Sequence, residues 1–182
     1  MNDIIGVIGG DPAGMIAAMT AAKRGKKVVL IEKNPMLGKK LLITGKGRCN
    51  ITNSADTEEF IKSVPVNPTF LYSAFYSFTN DDIVKLLNDY GVETKVERGG
   101  RIFPSSDKSR DVRDALKKAV EDSGVKVYNG EVKAIERKED NFKIILSSNK
   151  SLTVNKVIIA TGGMSYPLTG STGDGYKFSK AM

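Results

Sequence analysis

Two features near the amino terminus carry the first sign of chemistry: the run Gly9-Gly10-Asp11-Pro12-Ala13-Gly14, and Glu32 after it. Glycines in such a run let the chain turn sharply and let backbone approach a diphosphate. A carboxylate roughly twenty residues on then accepts hydrogen bonds from ribose hydroxyls. A helix opening beyond the turn adds N–H groups and the positive end of its dipole. The chemistry implied is the binding of a dinucleotide. Gly9, Gly10, Ala13, Gly14 and Glu32 are the candidate contacts, and no side chain is assigned a catalytic role.

One position departs from the pattern. With Gly9 and Gly14 as first and third glycines, Asp11 occupies the place of the second. Its Cβ obstructs close approach and its carboxylate faces the diphosphate. Like charges about 4 Å apart repel by roughly 1 kcal/mol in water and about 4 kcal/mol at an effective dielectric near 20. Aspartate tolerates left-handed backbone better than most residues, so the turn is expected to survive while dinucleotide affinity falls.

A second glycine loop, Ile43-Thr44-Gly45-Lys46-Gly47-Arg48-Cys49-Asn50-Ile51-Thr52-Asn53, is rich in donors, with Lys40 just before it. Such a loop suits phosphates or a polar ring system. Cys49 is the only cysteine, which rules out an intrachain disulfide and points to a reducing cytoplasm. It reads as a structural thiol, there being no second cysteine for a redox pair. With no histidine, a histidine base, a histidine triad and a zinc site are all excluded. The net charge of +7 over 182 residues reads as a solvated lysine-rich face with phosphate anchors, or as a surface attracting nucleic acid. No stretch is long enough to span a membrane.

The elements that must position these residues follow from periodicity. Ile4–Ile8 and Val28–Ile31 are short apolar runs of the kind buried in parallel sheets. Pro12 to about Gly25 is predicted helical, with Ala17, Ala18, Ala21 and Ala22 packing closely on the sheet. Further helices are predicted over 57–63, 68–78, 81–90 and 108–123. Phe70, Leu71, Ala74, Phe75 and Phe78 read as a core stripe, Asn80 or Thr79 as a cap, and Asp107 as a cap for the helix that follows it. Residues 92–96 and 100–103 read as a hairpin. Arg101 and Lys108 beside it are expected to touch substrate or to help start that helix. Val125–Tyr128 reads as a strand, 132–137 and 142–146 as an antiparallel pair continued by 152–154, and Lys156–Ala160 as a buried strand ending in Thr161-Gly162-Gly163. The helix begun after Gly173 runs to the last residue without a cap, so the chain reads as cut at its carboxyl end.

Together these residues resemble the N-terminal part of a bacterial flavoprotein family, the BaiN-type NAD(P)/FAD-dependent oxidoreductases. The resemblance rests on Ile8–Gly14, Gly38–Asn53, Gly100–Lys108, Ala160–Pro167 and Thr169–Tyr176. It implies an α/β fold, a Rossmann-like FAD/NAD(P)-binding domain of the glutathione-reductase type. A parallel sheet with an antiparallel β-meander would fill 1–182 as one incomplete, C-terminally truncated domain. The inserted substrate domain and the returning C-terminal segment would be absent. Within it Gly9 to Gly14 would hold the pyrophosphate, Glu32 the ribose, and Lys33 and Lys40 other polar parts of the cofactor. Arg48, Cys49 and Asn50 would lie by the flavin, Val132 by adenine, and Thr161 and Gly162 over the adenosine-diphosphate portion. The activity implied passes hydride from NAD(P)H through FAD to an unsaturated acceptor, a small enone or a uracil in ribosomal RNA, with amine oxidation as a further alternative. A non-catalytic half-domain holding FAD weakly or not at all is the competing expectation. Self-association through apolar sheet surface is expected in either case.

Overall fold

The computed structural model describes residues 3–182. In chain order its elements are β1 (Ile4–Ile8), α1 (Pro12–Lys23), β2 (Lys27–Glu32), β3 (Thr52–Asn53), α2 (Thr57–Lys62), α3 (Tyr72–Ser77), α4 (Asn80–Asp89), β4 (Thr94–Glu97), β5 (Arg101–Pro104), α5 (Ser109–Asp122), β6 (Lys126–Asn129), β7 (Val132–Lys138), β8 (Asn141–Leu146), β9 (Ser151–Val154), β10 (Lys156–Ile159) and α6 (Asp174–Lys180). They fall into two compact units, one made of the residues up to Leu41 and from Leu116 on, the other of Leu42–Ala115.

The first unit is built on a parallel sheet in the order β10-β1-β2-β6. Val7 lies opposite both Leu30 and Ile158, so the two apolar runs nearest the amino terminus fill its centre. Helix α1 follows β1 with Pro12 in its first turn, where proline's missing N–H costs nothing. Its Met15 and Ala18 are wholly buried. Strands β7, β8 and β9 form an antiparallel meander whose Ile135, Ile144, Leu146 and Val154 share one core cluster with Ile8, Ile31 and Phe178. Gly6 makes that contact close: a Cβ there would lie 2.7 Å from Ile144 Cδ1. Strand β10 differs from the buried strand expected. It has one sheet partner, β1, and Val157, Ile158 and Ile159 are half-buried.

The second unit holds a small antiparallel sheet in the order β3-β5-β4, with Val96 opposite Ile102 in the expected hairpin. Thr79 caps α4 in a reciprocal box with Asp82, and Gly91 at φ 82° follows the helix end. The aromatic stripe over 68–78 is not core. Phe70 is 84% exposed, and Ala74 and Phe78 are exposed as well. The segment divides into a 3₁₀ turn at Pro68–Leu71 and the six-residue α3, and the change of pitch scatters a stripe that one continuous helix would have aligned. Of the five, Phe75 and Leu71 are half-buried, Phe75 lying 5.6 Å from Phe60.

Candidate functional site

A crevice in the first unit opens where β1 and β2 end. It is lined by Ile8, Gly9, Gly10, Asp11, Ile31, Glu32, Lys33 and Asn34, by Gly130, Glu131 and Val132, and by Ala160, Thr161, Thr169, Gly170, Asp174 and Phe178. The glycines of the turn are required sterically. Gly9 has φ +105°, and a Cβ there would sit 2.4 Å from the Ala160 carbonyl oxygen. At Gly10 it would meet Leu37 at 2.4 Å and Glu32 at 3.0 Å. At Gly14 it would fall 1.8 Å from the Gly9 carbonyl oxygen, so α1 lies against the turn only because that side chain is missing.

Glu32 is 8% exposed and fully engaged on one oxygen. The Gly10 N–H donates to Oε2 at 2.6 Å, while the Asn34 N–H and Nδ2 donate to Oε1 at 2.7 and 2.6 Å. A carboxylate offers about four acceptor positions, so one on Oε2 stays open toward a ligand hydroxyl. Opposite it, β7 enters with a bulge between Val132 and Ala134, which bends the strand at the crevice. Thr161 Oγ1 is buried without a hydrogen-bond partner, a polar atom that a ligand at this place would satisfy. The residues present therefore fit the adenosine end of a dinucleotide.

The diphosphate end does not fit. Asp11 precedes α1 with φ −82° and ψ 176°, extended backbone that any residue adopts, so the left-handed conformation anticipated for it is not used. Its side chain makes no capping bond to the helix and instead accepts from the Lys40 N–H at 3.2 Å. Burial pushes the Asp11 carboxyl above its ordinary value. The Lys40 hydrogen bond opposes this, and the Glu32 charge adds to it.

The lysines expected at cofactor phosphates bond to protein. Lys33 Nζ donates to Thr172 Oγ1 at 2.8 Å and to Asp174 Oδ2 at 2.7 Å. Lys40 Nζ donates to the Ser165 carbonyl at 3.0 Å and to the hydroxyls of Ser165 and Ser171 at 3.1 Å. Lys39 reaches the Leu168 carbonyl at 2.8 Å. Burial pushes the Asp174 carboxyl up, but the Lys33 and Thr172 hydrogen bonds and the charges of Lys33 and Lys177 outweigh it and hold it below the usual range. Ala13, Gly14, Lys40 and Gly162 are not among the lining residues. Ala13 is exposed in the first turn of α1, and Gly162, at φ +72°, faces Ser171. Asn34 and Asp174 were missed by the sequence reading. The signal available for Asp174 was its place after Gly173, at a glycine-to-helix junction like that of Asp11.

Arg48, Cys49 and Asn50 belong to the second unit and cluster there. The Arg48 guanidinium pairs with Glu97 and with Asp107, and its Cζ stands 4.3 Å from the Phe103 ring centroid. Lys95 Nζ completes the group at 2.6 Å from Asp107. Asp107 is thus an ion-pair residue and not a helix cap. At φ 56° its side chain turns to Lys95 and Arg48, and Ser106 bonds the first turn of α5 instead, donating to Asp111 and accepting from the Lys108 N–H. Arg101 Nε donates to the Arg98 carbonyl at 3.0 Å. Cys49 is buried at φ 62°, and burial pushes its thiol up against the lowering effect of a Thr44 hydrogen bond. The Asn50 amide nitrogen, in the orientation its neighbours require, reaches the carbonyls of Ile102 and Thr52 at 3.3 and 3.1 Å.

The β1-α1-β2 unit, its glycine turn and the carboxylate closing β2 define a Rossmann-like nucleotide-binding α/β fold. The chain belongs to the HI0933-like protein Rossmann domain family, which matches residues 3–182. It is 33% identical over 181 residues to the 3-dehydro-bile acid delta(4,6)-reductase of Clostridium scindens, covering 98% of this chain and 43% of the relative. It is 31% identical to the ribosomal RNA dihydrouridine synthase of Escherichia coli, covering 96% and 43%. The chain thus spans less than half the length of these relatives. Among solved structures it is similar in fold to THI4 of Thermovibrio ammonificans, with TM-score 0.57 and 15% identity over 88% of this chain and 58% of that one. It is likewise similar to thioredoxin reductase of Lactococcus lactis, with TM-score 0.53 and 20% identity over 89% and 36%. No helix among the described residues is long and apolar enough to cross a membrane.

Proposed function

We propose that this chain supplies the adenosine-binding part of an FAD-dependent oxidoreductase that takes electrons from NAD(P)H and reduces an unsaturated acceptor. The observation that carries the reading is Glu32, buried at the end of β2 with one acceptor position open, beside a turn whose three glycines tolerate no side chain. The names of the two relatives, a bile-acid reductase and a dihydrouridine synthase, support reduction of a polarised carbon–carbon double bond as the chemistry. The net charge of +7 favours a uracil in RNA over a free small enone as acceptor.

When bound, the flavin supplies the redox chemistry and the protein supplies binding, orientation and electrostatics. Glu32 would accept from a ribose hydroxyl, the backbone around Val132 would flank adenine, and the Thr161 hydroxyl would find its missing partner.

Mixing the purified protein with FAD and passing it through a gel-filtration column tests the reading. A yellow complex with a bound-flavin spectrum is expected at high protein concentration. Failure to retain or shift FAD at any concentration, for wild type and for Asp11→Gly alike, would sink it. A second reading, a non-catalytic chain that holds an adenine nucleotide weakly, is favoured by Asp11 alone. It would show as FAD binding without reduction by NADH or NADPH.

A further inference from the structure

We propose that Asp11 makes this crevice a site that holds adenosine and that added phosphate groups weaken, the reverse of a glycine-rich fingerprint. The proposal rests on the crevice being an adenine-nucleotide site, as argued above. In the usual arrangement the second glycine leaves its place empty, and each phosphate gains from backbone N–H groups and the helix dipole. Here that place carries a side chain, and a charged one.

Three observations make the substitution more than a local blemish. The backbone at Asp11 is extended, so no conformational strain argues for glycine and nothing needs to move for the aspartate to stand there. The carboxylate is not turned onto the first-turn N–H groups of α1; its bond runs to the Lys40 amide. The cations that could offset it are held by other groups. Lys33 is paired with Asp174 and bonded to Thr172, and Lys40 Nζ is bonded to Ser165 and Ser171. Among the charged residues lining the crevice, Asp11, Glu32, Glu131 and Asp174 oppose the single ammonium of Lys33. A diphosphate entering this lining meets repulsion from Asp11, whereas the ribose and adenine meet Glu32, Thr161 and Val132, which suit neutral donors and acceptors. Repulsion between unit charges about 4 Å apart corresponds to between roughly fivefold and roughly a thousandfold in affinity, depending on the local dielectric.

Titrating ¹⁵N-labelled protein with adenosine, AMP, ADP and FAD, and following the Gly10 and Thr161 amide shifts, tests this. Wild type is expected to bind adenosine at least as tightly as ADP. Asp11→Gly should tighten ADP by about tenfold or more and leave adenosine unchanged. Asp11→Asn, which keeps an acceptor for the Lys40 N–H, should recover part of that gain and guards against a misfolded glycine variant. A wild-type preference for ADP over adenosine of tenfold or more would overturn the proposal, as would variants that shift both ligands equally. In either case binding at Gly10 and Thr161 would leave the nucleotide site standing. If no ligand moves those amides in any variant, the reading of the crevice itself fails.

Discussion

The carboxylate of Glu32 accepts the N–H of Gly10 at 2.6 Å in a buried setting, tying the end of the second strand to the middle of the glycine turn. One residue thus shapes the turn through Oε2 and fixes the Asn34 loop through Oε1, with one acceptor position on Oε2 left open. Glu32→Ala would leave the Gly10 and Asn34 N–H groups without their acceptor. We expect a loss of about 1–3 kcal/mol, the cost of stranding buried donors. The melting temperature should fall, and crevice binding of adenosine should be abolished. Glu32→Gln, keeping one oxygen, should lose less. An unchanged melting temperature for the alanine variant would refute the structural half of this claim.

Glycine substitutions should sort by what a Cβ would strike. Gly14→Ala drives a methyl group to 1.8 Å from the Gly9 carbonyl, and we expect at least the 1–3 kcal/mol typical of overpacking. Gly25→Ala, at φ +76° with nothing within 4 Å, carries only the cost of a left-handed alanine, about 1 kcal/mol. Denaturant titrations of the two variants side by side would check the order.

Two aspartates should show opposite pH signatures. Asp11 has its carboxyl raised by burial and by Glu32, so its protonation favours the fold. That contribution is complete below the ordinary carboxylate value near 4 and disappears as pH rises through the raised one. Asp11→Asn should therefore stabilise the protein at neutral pH and lose its advantage in acid. Asp107 is held below its ordinary value by Lys95 and Arg48, so its contribution is present above that ordinary value and is lost as pH falls. Asp107→Asn should cost stability at neutral pH, cost little near pH 3, and cost less in high salt, because the pairs are exposed. Melting temperatures across pH 3–8 would check both signs.

Cys49 is expected to react slowly with a thiol reagent in the native state and rapidly in denaturant, since it is 4% exposed and its thiol is pushed up by burial. Fast native labelling would count against its burial.

Phe70→Ser should change stability by no more than about 0.5 kcal/mol, as befits a side chain 84% exposed. Much of the fold could be read beforehand where one cause dominated. Ile4–Ile8, the glycine turn and Val28–Ile31 announced a parallel pair because steric necessity fixes each glycine. Of the two cap candidates, Asn80 and Thr79, the structure uses Thr79, whose reciprocal box is closed by Asp82 three residues on. Phe70 misled because periodicity presumes one unbroken helix, and the 3₁₀ turn broke it. Asp107 misled because capping is a local habit, whereas its partners Arg48 and Lys95 come from elsewhere in the chain. Lys33 and Lys40 were expected at polar parts of the cofactor, whereas their ammonium groups bond to protein, because a lysine's partner is chosen by tertiary structure, which spacing along the chain does not report. For the same reason Asn34 and Asp174 gave little sign of lining the crevice.

That reach of the lysines bears on how the crevice comes into being. Lys40 to Ser165, Lys39 to Leu168 and Lys33 to Asp174 join positions 125, 129 and 141 residues apart. Closing so long a loop is entropically costly, and on this topology we expect the wall from 165 to 174 to settle only after both sheets have formed. A nucleotide arriving during refolding would then meet the glycine floor before the wall exists, and would be enclosed by it afterwards.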